Sequence, residues 1–218
     1  MVSEEVGKKL YKAASKGEVE TLLELVEEDP YLVHGFSFPC SRNLLHIAAM
    51  HGQTAVVEKL LRINPRLARS SDSRKSFPLH IAVDEGDFEI TKRLLLAAPE
   101  VCWWRDNQGM NPIHVAAVKG HVETLKVLVE KLGDLVFAKD GDGETLLHLA
   151  VRSNQLEIIR YLVESKRIKK LATNSTGETA LDIMRAFETQ PRWRSRRRSA
   201  PREACGRKTR HHTARAEQ

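Results

Sequence analysis

The sequence predicts an all-α solenoid of stacked helix-turn-helix units joined by hairpin turns, and three observations carry that reading. The first is a recurring block: Leu45-His46-Ile47-Ala48-Ala49, Leu79-His80-Ile81-Ala82-Val83, Ile113-His114-Val115-Ala116-Ala117 and Leu147-His148-Leu149-Ala150-Val151. The second is the period, because the histidines advance by a constant step of 34 residues. The third is a residue tolerant of positive φ six places after each histidine: Gly52, Gly86, Gly120 and, in the fourth block, Asn154.

In chain order, residues 1–36 read as an N-terminal capping unit: Leu10-Tyr11-Lys12-Ala13-Ala14 with Gly17 lies one step of 35 before the first full block. Acids at Glu18, Glu20, Glu24, Glu27 and Glu28 alternate with apolar residues, as a terminal unit with a polar outer side requires. Four units follow, at 37–71, 72–105, 106–139 and 140–173. In each, alanines such as Ala48, Ala49, Ala116 and Ala117 give the first helix a small-residue face for close packing. The second helix carries a stripe of 3.6-residue period: Val56, Val57, Leu60, Leu61; then Thr124, Leu125, Leu128, Val129; then Ile158, Ile159, Leu162, Val163. Turn signals separate the units: Asp106-Asn107-Gln108-Gly109, Asp140-Gly141-Asp142-Gly143 and Asn174-Ser175-Thr176-Gly177. Residues 174–190 repeat the turn and one helix, with Asp182 at the histidine position, but supply no second helix. The stack is therefore expected to fray beyond Ser165.

Charge is unevenly placed. From Pro191 onward there are ten Lys/Arg against two acids, leaving 25 basic and 27 acidic residues in 1–190. The net +6 thus belongs to a basic tail, 191–218, whose composition builds no core. Cys40, Cys102 and Cys205 are odd in number and widely spaced, which argues against a disulfide framework or a zinc site and fits a reducing compartment. No signal-peptide pattern opens the chain, and no run approaches the ~20 apolar residues of a membrane span. The expectation is a cytoplasmic protein, with a nuclear address as the alternative if the tail acts as an import signal.

The run Asn111-Pro112-Ile113-His114-Val115-Ala116-Ala117, followed by Gly120-His121, resembles the ankyrin consensus of Thr-Pro-Leu-His type, and the resemblance covers about 3–188. A Pro-x-Leu/Val step before two turns (Pro65-Arg66-Leu67 and Pro99-Glu100-Val101), Asp29-Pro30-Tyr31-Leu32, and the run from Glu144 to Val151 are similar to the plant ankyrin proteins that end in a PGG transmembrane domain, including the BIAN DA-like group. That likeness implies a role in immune or stress signalling. The chain departs from the group after Phe187, where neither a Pro-Gly-Gly nor an apolar span follows, which suggests a truncated isoform without the anchor.

The candidate chemistry is structural. Equivalent positions on neighbouring units stand about 8–10 Å apart, whereas zinc ligands sit within about 2.1 Å of the ion. His46, His80, His114 and His148 are therefore expected to fix each hairpin to its helix. Adjacent acids (Asp84 and Glu85, Asp140 and Asp142) fall at helix ends and turns, where capping acids are common. Glu157 and Arg160 read as an exposed i,i+3 ion pair. No catalytic, metal or cofactor site is called for.

Function is then expected on the concave side, where turn tips and first helices face a partner. Aligned tips carry Arg74 and Lys75 with Ser76, then Asn107, Gln108 and Met110, then Asp142 and Glu144. Behind them lie Met50 and His51, Asp84 and Glu85, Val118 and Lys119, and Arg152 with Ser153. The strip runs from basic through mixed to acidic, which suits a protein or peptide better than a nucleic-acid backbone. Trp103 aligns with Phe137 and reads as core, while Trp104 replaces a small residue and reads as an exposed anchor. Nucleic acid or acidic lipid is a weak partner of the tail only, in which Trp193 stands among arginines; a composition accident explains the tail equally well.

Overall fold

The computed structural model describes residues 2–165 and 169–189, so the basic segment 191–218 lies outside the described residues. Helices α1 (Val2–Lys16) and α2 (Val19–Glu28) form the first pair, and α3 (Leu32–Gly35) is a single turn after it. Four pairs follow at the repeat step: α4 (Leu44–Met50) with α5 (Thr54–Ile63), α6 (Pro78–Glu85) with α7 (Phe88–Ala97), α8 (Pro112–Lys119) with α9 (Val122–Lys131), and α10 (Leu146–Arg152) with α11 (Leu156–Glu164). Helix α12 (Ala180–Thr189) begins a sixth unit. First helices α1, α4, α6, α8, α10 and α12 stack in one layer, and second helices α2, α5, α7, α9 and α11 in another. Among the described residues the architecture is all-α, with only isolated bridges such as Lys139↔Thr145 and Thr173↔Thr179 at the hairpins.

Local chemistry sets each boundary. Pro78 and Pro112 occupy the first turns of α6 and α8, where the missing N–H costs nothing. Asn43 and Asn111 cap α4 and α8 by accepting from His46 N (3.0 Å) and His114 N (3.3 Å). The alanines bring first helices together: Ala48, Ala49, Ala82, Ala116, Ala117 and Ala150 are fully buried. From the second helices Val56, Val57, Leu60, Leu125, Leu128, Ile158 and Leu162 fill the space between layers.

The Pro-x-Leu/Val steps open a feature that periodicity does not reveal. After α5, α7 and α9 the chain winds into short 3-10 segments, Pro65–Arg69, Pro99–Trp103 and Gly133–Phe137. Each turns two residues into the core: Leu67 and Ala68, Val101 and Cys102, Leu135 and Val136. Burial pushes the Cys102 thiol up to about 12, so it serves as a small core side chain rather than a reactive thiolate.

The two ends differ. On the outer side of α2, Glu20, Glu24, Glu27 and Glu28 are exposed, a polar cap. At the other end no following second helix covers the far side of α11 among the described residues. Val129 is 5 % exposed where a neighbour covers it, but the equivalent Val163 is 38 % exposed. On α12, Leu181 and Met184 are 43 % and 41 % exposed, against 7 % and 0 % for Leu147 and Ala150 one unit earlier. Amide hydrogen exchange is therefore expected to show weaker protection in α11 and α12 than in α6 and α8. Equal protection through α12 would mean that this end is closed in solution.

Candidate binding surface

The hairpin tips are built on one repeated side chain. Asp72, Asp106, Asp140 and Asn174 stand one step apart, and each folds the tip around its own Oδ1. Asp72 accepts from Arg74 N (2.8 Å) and Ser76 N (2.9 Å), and Asp106 from Gln108 N (2.9 Å) and Met110 N (3.0 Å). Asp140 accepts from Asp142 N (2.9 Å) and Glu144 N (2.8 Å), and Asn174 from Thr176 N (3.0 Å) and Glu178 N (2.9 Å). These are Asx turns: a short acceptor replaces the carbonyl of an ordinary turn. Successive tips are also tied together, Ser73 N to the Cys40 carbonyl (2.8 Å) and Asn107 N to the Arg74 carbonyl (2.9 Å).

The histidines connect tip, helix and next unit. Each Nδ1 accepts the backbone N–H three residues earlier, from Asn43 (3.2 Å), Phe77 (3.4 Å), Asn111 (3.2 Å) and Thr145 (3.2 Å). That fixes the neutral tautomer with hydrogen on Nε2, which donates to a carbonyl in the following turn region. The acceptors are Ser76 (3.1 Å), Met110 (3.3 Å), Ala138 (3.2 Å) and Glu178 (2.9 Å). Burial pushes the His46 imidazole down to about 4, against the bond to Ser76, and lowers His80 and His114 in the same direction. Among the described residues no three His, Cys, Asp or Glu side chains converge as a metal site.

A second ladder was not anticipated. Gln53 Nε2 reaches back to the Ser15 carbonyl (3.2 Å), His121 Nε2 to Asp84 (3.0 Å) and Gln155 Nε2 to Val118 (2.9 Å). These donors share one repeat position, directly after the glycine or asparagine that ends the first helix. Gly120 makes room for one of them: a Cβ there would lie 2.3 Å from Gln155 Oε1. The step of 34 at 53, 121 and 155 is the signal for it, obscured because the position holds two residue types. Asp87 occupies the same place in the remaining unit; it has no hydrogen to donate and instead caps α7 through Ile90 N (2.9 Å).

On the expected strip, His51, Arg74, Lys75, Glu85, Asn107, Gln108, Lys119, Asp142 and Arg152 are exposed. Lys75 sits at φ 56, the place that Gly109, Gly143 and Gly177 fill in later tips, so the first tip keeps a strained cation. Asp84 and Lys119 are joined across units at 2.6 Å. Met50 and Met110 are half-buried and pack on the core, and Val118 is half-buried. Arg42 Nη1 donates to the Met50 sulfur at 3.2 Å. Trp104 is 38 % exposed and leans on Phe77, with ring centroids 4.9 Å apart.

Two expectations need correction. Glu144 is not on the open surface: it is 7 % exposed, because Arg152 reaches over it with Nε at 2.5 Å while also approaching Glu178 at 3.7 Å. The acidic end of the strip is therefore Asp142 and Glu178, beside a cleft of about 400 Å³ lined by Asp142, Glu144, Arg152, Asn174, Ser175 and Thr176. Hydrogen bonds from Thr176 and Asn174 hold the Glu178 carboxyl below the usual range. Nor is Trp103 core: it is 47 % exposed and its counterpart Phe137 54 %, because both end a 3-10 segment whose two preceding residues take the buried positions. The Glu157–Arg160 pair is exposed at 3.7 Å, as its spacing predicts.

No helix among the described residues is long and apolar enough to cross a membrane. No curated protein matches the chain. A family model described as ankyrin repeats (3 copies) matches residues 10–102, 45–138, 79–174 and 134–190, nearly all of the helical stack. With the period, the paired helices and the histidine-held hairpins, the match shows that the chain belongs to the ankyrin-repeat family.

Proposed function

We propose that the protein is a protein–protein interaction scaffold whose partner lies along the turn tips and first helices. One observation carries the reading. The backbone and capping groups of the tips are consumed internally, yet Arg74, Lys75, Asn107, Gln108 and Asp142 stand exposed on them. A surface rigid in its backbone and varied in its side chains meets the needs of specific recognition at a low ordering cost. The likeness of the Pro-x-Leu/Val steps to the plant group connects such an adaptor to immune or stress signalling.

The test is affinity capture with the full chain, compared with a variant carrying Lys75→Gly, Gln108→Ala and Trp104→Ala. Lys75→Gly removes the charge while suiting the positive φ, so the fold is kept. A partner retained by the parent is expected to weaken at least tenfold, roughly the 1.4 kcal/mol that separates an anchor from a bystander. Recovery of the same proteins in the same amounts from both forms sinks the assignment.

A further inference from the structure

A second face shows the same translational order and has no place in the strip. The step of 34 at 69, 103, 137 and 171 carries Arg69, Trp103 and Phe137, each the last residue of its 3-10 segment, and then Leu171 in a turn. The last three are 47 %, 54 % and 81 % exposed, an apolar row at one residue per unit. Glu100 and Asp134 stand three residues earlier in the same 3-10 segments, and side chains three apart eclipse in that helix. The two lanes meet where Arg69 Nε touches Glu100 Oε1 of the next unit at 2.5 Å. Two residues beyond the apolar row come Arg105 and Lys139, both exposed. They lie along the units: Arg105 Nη2 donates to the Lys139 carbonyl (2.7 Å) and Lys139 Nζ to the Thr173 carbonyl (2.9 Å). The face is thus a track of three lanes, apolar in the middle, acidic on one side and basic on the other.

We infer that this track docks an amphipathic α-helix of a protein partner, lying along the stack with a basic flank over Glu100 and Asp134 and an acidic flank over Arg105 and Lys139. Spacing supports the choice. Neighbouring units repeat at about 8–10 Å, and residues i and i+7 of a helix are about 10.5 Å apart. One apolar side chain per two turns then meets Trp103, Phe137 and Leu171 in succession. An anionic membrane is a poorer fit because the acidic lane would face it. Single-stranded nucleic acid is poorer still, since Leu171 offers no stacking surface and the acidic lane repels phosphate. Aromatic anchors bordered by charge of both signs suit a protein segment read for position and composition.

The probe is a synthetic helical peptide with leucines at i, i+7 and i+14, lysines along one flank and glutamates along the other, labelled for fluorescence anisotropy with the full chain. Its affinity is expected to fall at least tenfold when the leucines move to a five-residue spacing or when both flanks carry glutamate. The same loss is expected with Trp103→Ser plus Phe137→Ser, exposed positions whose change leaves the circular dichroism intact. The variant in Lys75, Gln108 and Trp104 should bind the peptide like the parent. Equal binding of the spacing variants, or binding indifferent to Trp103 and Phe137, overturns the inference. So does pelleting with phosphatidylcholine–phosphatidylserine vesicles that needs these two residues, which assigns the face to lipid. A concentration-dependent dimer lost in the double variant assigns it to a second copy.

Discussion

The free energy of unfolding is expected to fall as the pH drops from 7.5 to 5, a range that lies mostly above that in which carboxylates titrate. The cause is the row of buried imidazoles. His46 titrates at about 4 in the folded chain, and His80 and His114 are lowered as well, against about 6.5 when unfolded. A lowered histidine means that the unfolded state binds the proton first. Stability is therefore complete above pH 6.5 and lost as the pH falls toward the folded value. For His46 alone the loss is about 2 kcal/mol at pH 5 and about 3 kcal/mol once the folded value is passed. His80 and His114 add in the same direction, and the loss from His46 alone is already a sizeable part of the total for a chain of this size. Protonation also destroys the Nδ1 acceptor that each hairpin uses, so the charge cannot be accommodated by a small rotation. Urea titrations followed by circular dichroism at pH 7.5, 6 and 5 measure the slope. A His46→Gln variant should be less stable at pH 7.5 but lose less on acidification. A midpoint that does not move between pH 7.5 and 5 would refute the account.

The second large effect is a single methyl group. Gly109 has φ +74, and a Cβ built there lies 2.8 Å from Gly141 Cα and 2.9 Å from Gly141 N. Both neighbours are backbone, so no side-chain rotation relieves the contact and two hairpin tips must move apart. Gly177 has nearly the same backbone, φ +80, with nothing within 4 Å. Gly177→Ala therefore costs only the left-handed penalty, ~1–2 kcal/mol. Gly109→Ala adds an overpacking cost of about 1–3 kcal/mol to that penalty. The pair separates conformational strain from contact in one experiment. Thermal melts showing the two variants equally destabilised would rule out the tip-to-tip contact as the source.

The period made the fold legible, because a 34-residue step shared by histidine, glycine and turn acid admits few alternatives. The histidines' role followed from chemistry, since groups one unit apart cannot share an ion. What misled was reading a column by hydrophobicity alone. Trp103 and Phe137 agree with each other, but Arg69 in the same column is the more informative member: a position that accepts arginine without a core partner lies outside the core. Glu144 was misplaced for a different reason. Its cover, Arg152, stands eight residues away on α10, and only the fold of the hairpin over that helix brings them together. The reach-back ladder escaped notice because Gln and His are chemically equivalent there as N–H donors, although they look unlike in sequence.

Asp87 interrupts that ladder. Three junctions are stitched by a donor from one unit to the last turn of its predecessor, and the junction between the α4–α5 and α6–α7 pairs lacks that stitch. One neutral hydrogen bond contributes only about 1 kcal/mol. At this junction the tie is ionic instead, Arg93 Nη1 on α7 to Glu58 Oε1 on α5 at 2.6 Å, so added salt loosens it in a way that it does not loosen the neutral stitches.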